Sequence, residues 1–139
     1  MDKPLPPKLA ARLNQGFESH KGGDLQAALK AYDLVLKKKP LHADALWLKG
    51  AVFVGLGDGP SAVAWLSKAA KCRPTDAAII NDLGMAYESC GDIAAARGAF
   101  KKAQALDPEE PAVRVNIARY AQSDGQADVA LHEADEAIK

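Results

Sequence analysis

Three histidines, two cysteines, one glycine-rich stretch and one lysine run are the places where side-chain type alone suggests chemistry in this 139-residue chain. His20, His42 and His132 would be metal ligands or general bases. No two of them share a helical face with a carboxylate, so the spacing does not make a metal site. Cys72 and Cys90 would be nucleophiles or a disulfide, but neither has a His or Asp partner visible in the sequence, and two cysteines make no disulfide framework. The stretch Gly55-Leu56-Gly57-Asp58-Gly59-Pro60-Ser61 has the glycines of a phosphate-cradling loop. It lacks the Lys-Ser/Thr that should follow, and no strand pattern precedes it. Lys37-Lys38-Lys39 would contact phosphates, yet no aromatic residue interleaves it for base stacking. It fits better at the end of a helix, where cations complement the macrodipole. The expectation is a chain without catalytic, cofactor or metal residues.

Composition narrows the classes further. Hydrophobic residues make up 48% of the chain and aromatic residues 6%. Alanine dominates the apolar set, which suits closely packed helices. Eighteen basic residues balance 18 acidic ones, so no global field recruits nucleic acid or an anionic membrane. Residues 1–42 carry eight Lys and Arg against four acids, whereas residues 109–139 carry three against seven; this reads as scatter among solvated side chains. No apolar run approaches the roughly 20 residues of a membrane span. The start, Met1-Asp2-Lys3-Pro4, has no apolar signal core, so the expected compartment is the cytoplasm.

The elements that position these residues are set by an internal repeat. Pro40, Pro74 and Pro108 recur at a spacing of 34. In the same register stand Tyr32, Leu66 and Phe100; Ala28, Ala62 and Ala96; Gly23, Gly57 and Gly91, each followed by Asp; and Gly16, Gly50 and Gly84. Gly inside a helix costs about 1 kcal/mol relative to Ala, so the last set predicts a second helix packed too close for a Cβ. Ala28, Ala62 and Ala96 are expected to be the small residues facing those glycines. The Gly-Asp pairs predict a left-handed helix end followed by an N-cap, and the prolines stop the second helix. The resulting helices are 9–21 and 25–38, 43–56 and 60–72, 77–90 and 93–106, then 111–124 and 127–138, with Pro60 in the first turn of its helix and no sheet. Cys72 and Cys90 then stand about 20 Å apart along one helix and a turn, too far for a direct bond.

This pattern resembles the tetratricopeptide-repeat family, whose 34-residue unit is a helix hairpin. In residues 77–110 the signature places are held by Ile80, Leu83, Gly84, Tyr87, Ala96, Phe100, Ala103 and Pro108. In residues 43–76 they are Leu46, Lys49, Gly50, Phe53, Ala62, Leu66, Ala69 and Pro74. Residues 9–42 depart in the first helix but keep Gly16, Ala28, Tyr32, Val35 and Pro40. The resemblance implies an all-α, right-handed solenoid of antiparallel helix hairpins. Its units would be 9–42, 43–76, 77–110 and a partial or capping unit at 111–139, after a Pro-rich extended leader at 1–8. The fourth unit keeps Gly125, Ala130 and Ala137, but Ala118 replaces the packing glycine, and Ala121 and Ala134 the aromatics. It stops at Lys139, about five residues early for a 34-residue unit. The stop is read as a fragment of a longer protein, with self-association through this end as a further possibility.

In such arrays the second, fifth, ninth and twelfth positions of each first helix line a concave surface, by resemblance. These positions hold Leu13, Phe17 and His20; Trp47, Ala51 and Val54; Asn81, Met85 and Glu88; and Val115, Arg119 and Gln122, beside Ala10, Asp44, Ala78 and Ala112. The chaperone-binding subclass grips a carboxylate with Lys, Asn and Arg at places that here hold Leu13, Phe17, Leu48, Ala78 and Asp82, so chaperone tails are not expected. The half-apolar lining suits an amphipathic helix or an extended apolar peptide. The expected function is a non-catalytic protein-interaction module, with Leu13, Phe17, Trp47, Ala51, Val54, Asn81, Met85, Glu88 and Arg119 as its groove. The expected partner is another protein or peptide, with neither nucleic acid nor membrane insertion. The alternatives are an accessory region of a larger glycosyltransferase, sulfotransferase or methyltransferase, or a homo-oligomeric scaffold.

Overall fold

A computed structural model describes residues 4–123. Seven helices follow one another among them: α1 Pro7–Lys21, α2 Leu25–Lys38, α3 Ala43–Gly55, α4 Gly59–Cys72, α5 Ala77–Ser89, α6 Ile93–Leu106 and α7 Pro111–Ser123. No strand occurs among the described residues. The helix expected at 127–138 lies outside them, and with it the surface on which the self-association expectation rests.

Each hairpin turn is built the same way, and the Gly-Asp pair explains why. Gly23, Gly57 and Gly91 take φ of 88°, 76° and 79°, a region open to glycine and strained for other residues. That turn lets the N–H of Asp24, Asp58 and Asp92 reach back to the carbonyls of Ser19, Phe53 and Tyr87 at 2.8, 3.0 and 3.0 Å. The same aspartates then accept the N–H of Ala27, Ser61 and Ala95 with their carboxylates. One residue thus closes the first helix with its backbone and opens the second with its side chain. Pro40, Pro74 and Pro108 fall two residues beyond the helix ends at Lys38, Cys72 and Leu106.

The helical glycines pack as expected against the second helix, but not against the expected residue. A Cβ on Gly50 would lie 2.5 Å from Leu66 Cγ; one on Gly16 or Gly84 would lie 2.7 Å from Tyr32 or 2.6 Å from Phe100. The partner is therefore the large residue four places beyond the small alanine. Ala28 and Ala62, fully buried, sit instead in clusters with Val52 and Ala86 of the following unit. Their small size serves stacking between hairpins rather than packing within one.

One further difference is local. α1 begins at Pro7, inside the expected extended leader, because proline at the first helical position loses no hydrogen bond. Leu5, just ahead of the helix, packs on the cluster that contains Val35, Leu36, Leu46 and Ile79. α3 and α5 are opened by His42 and Asp76, whose side chains accept from Ala45 N–H and from Ala78 and Ile79 N–H.

The hairpins stack so that the backbones of α1, α3, α5 and α7 approach in succession, whereas those of α2, α4 and α6 stay apart. First helices crowd together on the inside of the curve, and second helices fan apart on the outside.

Candidate functional site

The inner face is stitched by one recurring contact between units and by one further pair between the last two. The fifth residue of one unit meets the sixth residue of the next. Leu13 and Leu48 share a core cluster. Trp47 Nε1 donates to Asp82 Oδ2 at 2.7 Å, and Asn116 Nδ2 donates to Asn81 Oδ1 at 3.0 Å. The twelfth residue of the third unit meets the ninth of the fourth: Arg119 donates to both Glu88 oxygens at 2.9 and 3.0 Å. Arg119 also donates to Asn116 Oδ1 at 2.9 Å. Glu88, Arg119, Asn116 and Asn81 thus form one chain of hydrogen bonds across α5 and α7.

These contacts divide the expected groove residues. Asn81 is fully buried, with its Nδ2 unpartnered; Glu88 and Arg119 satisfy each other. Leu13 is half-buried against two core clusters and belongs to the edge of the core. Phe17 stays 42% exposed, with Lys21 Nζ 5.0 Å from its ring centre. Trp47, Ala51, Val54 and Met85 are half-buried and continue the apolar strip along α3 and α5. Val115 extends it on α7, 65% exposed.

The electrostatics follow from this packing. Burial raises the Asp82 carboxyl above its ordinary value, helped by Asp76 and Glu110 and opposed by the Trp47 hydrogen bond. Burial also pushes Glu88 up, but Arg119 and the neighbouring Tyr120 hydroxyl outweigh it and leave Glu88 below the usual carboxylate value. Tyr120 rises to about 12, chiefly by desolvation and then by Glu88. Its hydroxyl lies beside that carboxylate without a well-aligned hydrogen bond.

The residues singled out for chemistry have structural positions. His20 and His42 are half-buried: His20 Nδ1 lies 3.3 Å from the Tyr32 hydroxyl, and His42 caps α3. His132 lies outside the described residues. Both cysteines are free thiols. Cys72 Sγ donates to the Leu41 carbonyl at 3.5 Å. Cys90 closes α5 against Gly59, where an added Cβ would lie 2.8 Å from its Sγ. The packing role of Gly59 was hidden by its place in a glycine-rich turn. Among the described residues, no three His, Cys, Asp or Glu side chains are grouped to hold a metal ion. No helix there is long and apolar enough to cross a membrane.

A stack of helix hairpins with an inner face left open is the architecture of a repeat-built interaction scaffold. The tetratricopeptide repeat matches at residues 21–77 and again at 77–110, and the chain belongs to that family. Among solved structures it is similar to MamA 41-end from Desulfovibrio magneticus RS-1, at TM-score 0.82 and 26% identity over 94% of this chain and 73% of that one. The first repeat domain of Spaghetti (RPAP3), bound to the HSP90 peptide SRMEEVD, shares the fold at TM-score 0.78 and 14% identity, over 85% and 94%. Among curated proteins it is 29% identical over 106 residues to Cellulose synthase 2 operon protein C of Komagataeibacter xylinus. It is 32% identical over 82 residues to a probable UDP-N-acetylglucosamine–peptide N-acetylglucosaminyltransferase SEC of Arabidopsis thaliana. Those alignments cover 75% and 59% of this chain but span only 8% of each relative.

Proposed function

We propose that the inner face receives an apolar segment of another protein, laid across α1, α3 and α5 as an amphipathic helix or an extended peptide. The observation that carries this is the strip of Phe17, Trp47, Val54 and Met85, which stacking between repeats leaves partly open to solvent. Leu13 and Ala51 form its floor. Asn81, Glu88 and Arg119, bound to each other through Asn116, set a polar border at the far end. Aromatic and Met side chains offer polarizable, adaptable area, which favours a hydrophobic guest over a charged one. A guest ending in acidic residues is disfavoured, because Asp82 stands on the face and its carboxylate is committed to Trp47. The module works by binding alone, in the cytoplasm.

The test is a displayed peptide library panned on the chain. Selected peptides should carry apolar residues at helical or alternate spacing. They should change the emission of Trp47 in a Trp65→Phe background and bind Trp47→Ala at least tenfold more weakly, from about 2 kcal/mol for a buried interface Trp. Selection of acidic tails, or equal affinity for the variant, refutes the reading.

The likeness to the transferase favours a second reading, in which these repeats are the accessory region that presents substrates to an enzyme. A stop codon directly after residue 139 in the natural reading frame eliminates it.

A further inference from the structure

The chain's net charge is zero, yet the second helices are almost purely cationic, because most of the described acids lie in the turns between helices. α2, α4 and α6 carry Lys30, Lys37, Lys38, Lys68, Lys71, Lys101 and Lys102, all exposed, against one acid, Asp33. Asp33 is taken by Lys49 of α3. None of the seven lysines has an ion-pair partner among the described residues; Lys68 lies 4.4 Å from the centre of the Trp65 ring. The repeat aligns Lys37 with Lys71, and Lys68 with Lys102, in rows that run from helix to helix. Because second helices fan outward, these rows cover the outer side of the solenoid.

What lies between the lysines is apolar or small. Leu34 is 47% exposed and Leu106 37%, and Ala64, Gly98 and Ala105 are exposed beside them. Leu34 is flanked one turn away on each side by Lys30 and Lys37. Lysine ammoniums are compact, strongly hydrated charges that do not fork onto individual phosphates. No exposed aromatic side chain among them offers a platform for bases.

We propose that this outer face docks on an anionic phospholipid bilayer, held by the lysine rows and by shallow contact of Leu34 and its small neighbours, with the inner face left free for a protein guest. The attachment is peripheral, since no described helix is fit to cross a membrane. Each lysine brought to such a surface strengthens binding on the order of fivefold, and the attraction fades beyond about 8–10 Å at physiological salt.

The experiment sediments the complete chain with vesicles of pure phosphatidylcholine and with vesicles that also contain phosphatidylserine, at low and at physiological salt. Partition onto the phosphatidylserine vesicles should be about tenfold or more stronger and should weaken as salt rises. It should be lost in the fourfold variant Lys37→Glu, Lys68→Glu, Lys71→Glu and Lys102→Glu, whose helical circular dichroism should match the parent. Should that variant misfold, the neutralising pair Lys37→Gln and Lys71→Gln reads the same effect at lower amplitude. Trp47→Ala should bind vesicles like the parent, which separates this surface from the inner one. The proposal is overturned by equal partition onto both vesicles, by no binding to either, by lysine variants that bind unchanged, or by duplex DNA that outcompetes the vesicles.

Discussion

Replacing Gly50 with alanine separates packing from propensity, because the two act in opposite directions. In an open helix, alanine at this position would stabilise the chain by about 1 kcal/mol. Here the new Cβ would lie 2.5 Å from Leu66 Cγ, 2.8 Å from Cδ2 and 3.3 Å from its backbone nitrogen. Leu66 is fully buried, and its Cγ is one bond from its own Cβ, so it has little room to swing aside. Overpacking of this kind costs about 1–3 kcal/mol, which cancels the propensity gain and leaves a net loss of up to about 2 kcal/mol. Gly98→Ala is the matched control. It lies inside α6, exposed, with no atom within 4 Å of its added Cβ, and should stabilise by about 0.5–1 kcal/mol. Urea unfolding followed by far-ultraviolet circular dichroism reads both variants. Leu66→Ala combined with Gly50→Ala should be less destabilised than the sum of the singles, by about 1 kcal/mol or more. If Gly50→Ala stabilises as Gly98→Ala does, the hairpin packing described here is wrong.

Three further outcomes follow from single contacts. Asp82→Asn should hold or raise stability at neutral pH while keeping an acceptor for Trp47 Nε1. The folded-state pKa of Asp82 is raised by burial, so its charge opposes folding above that pKa. The advantage of the variant should shrink as pH falls toward the ordinary value of 3.8, and urea midpoints across pH measure it. His42→Ala should cost about 1 kcal/mol by removing the α3 cap, whereas His42→Asp should restore it, as Asp76 caps α5; thermal unfolding distinguishes them. Glu88→Gln should change stability by less than about 1 kcal/mol, because the Arg119 side chain is 46% exposed and solvent screens the pair.

Much of the fold was legible because each recurring residue has a local job. Gly23 and Asp24, with their two repeats, announce a left-handed turn and a cap whatever surrounds them, and α2 and α6 begin and end where those signals place them. What stayed hidden depends on partners far away in sequence. That Gly50 faces Leu66 rather than Ala62 turns on the rotation of α4 about its axis. Trp47–Asp82 and Asn81–Asn116 both join residues 35 apart, a spacing visible once stacking of equivalent positions is assumed, but not from either helix alone. The same limit applies to Glu88 and Arg119, which read as two groove charges and emerge as a pair. The cationic outer face was masked by a net charge of zero, since a sum over the chain cannot show that the second helices carry the lysines while most acids lie in the turns.

The most direct measurement compares two exposed apolar residues on opposite faces, using a library-selected peptide. Phe17 is 42% exposed on the inner side and Leu34 is 47% exposed on the outer side, so truncating either leaves the core intact. The expected result is a dissociation constant raised about tenfold or more by Phe17→Ala, a loss of roughly 1.4 kcal/mol, and left unchanged by Leu34→Ala. Loss of binding in Leu34→Ala with full affinity in Phe17→Ala would contradict the assignment of the inner face as the binding surface.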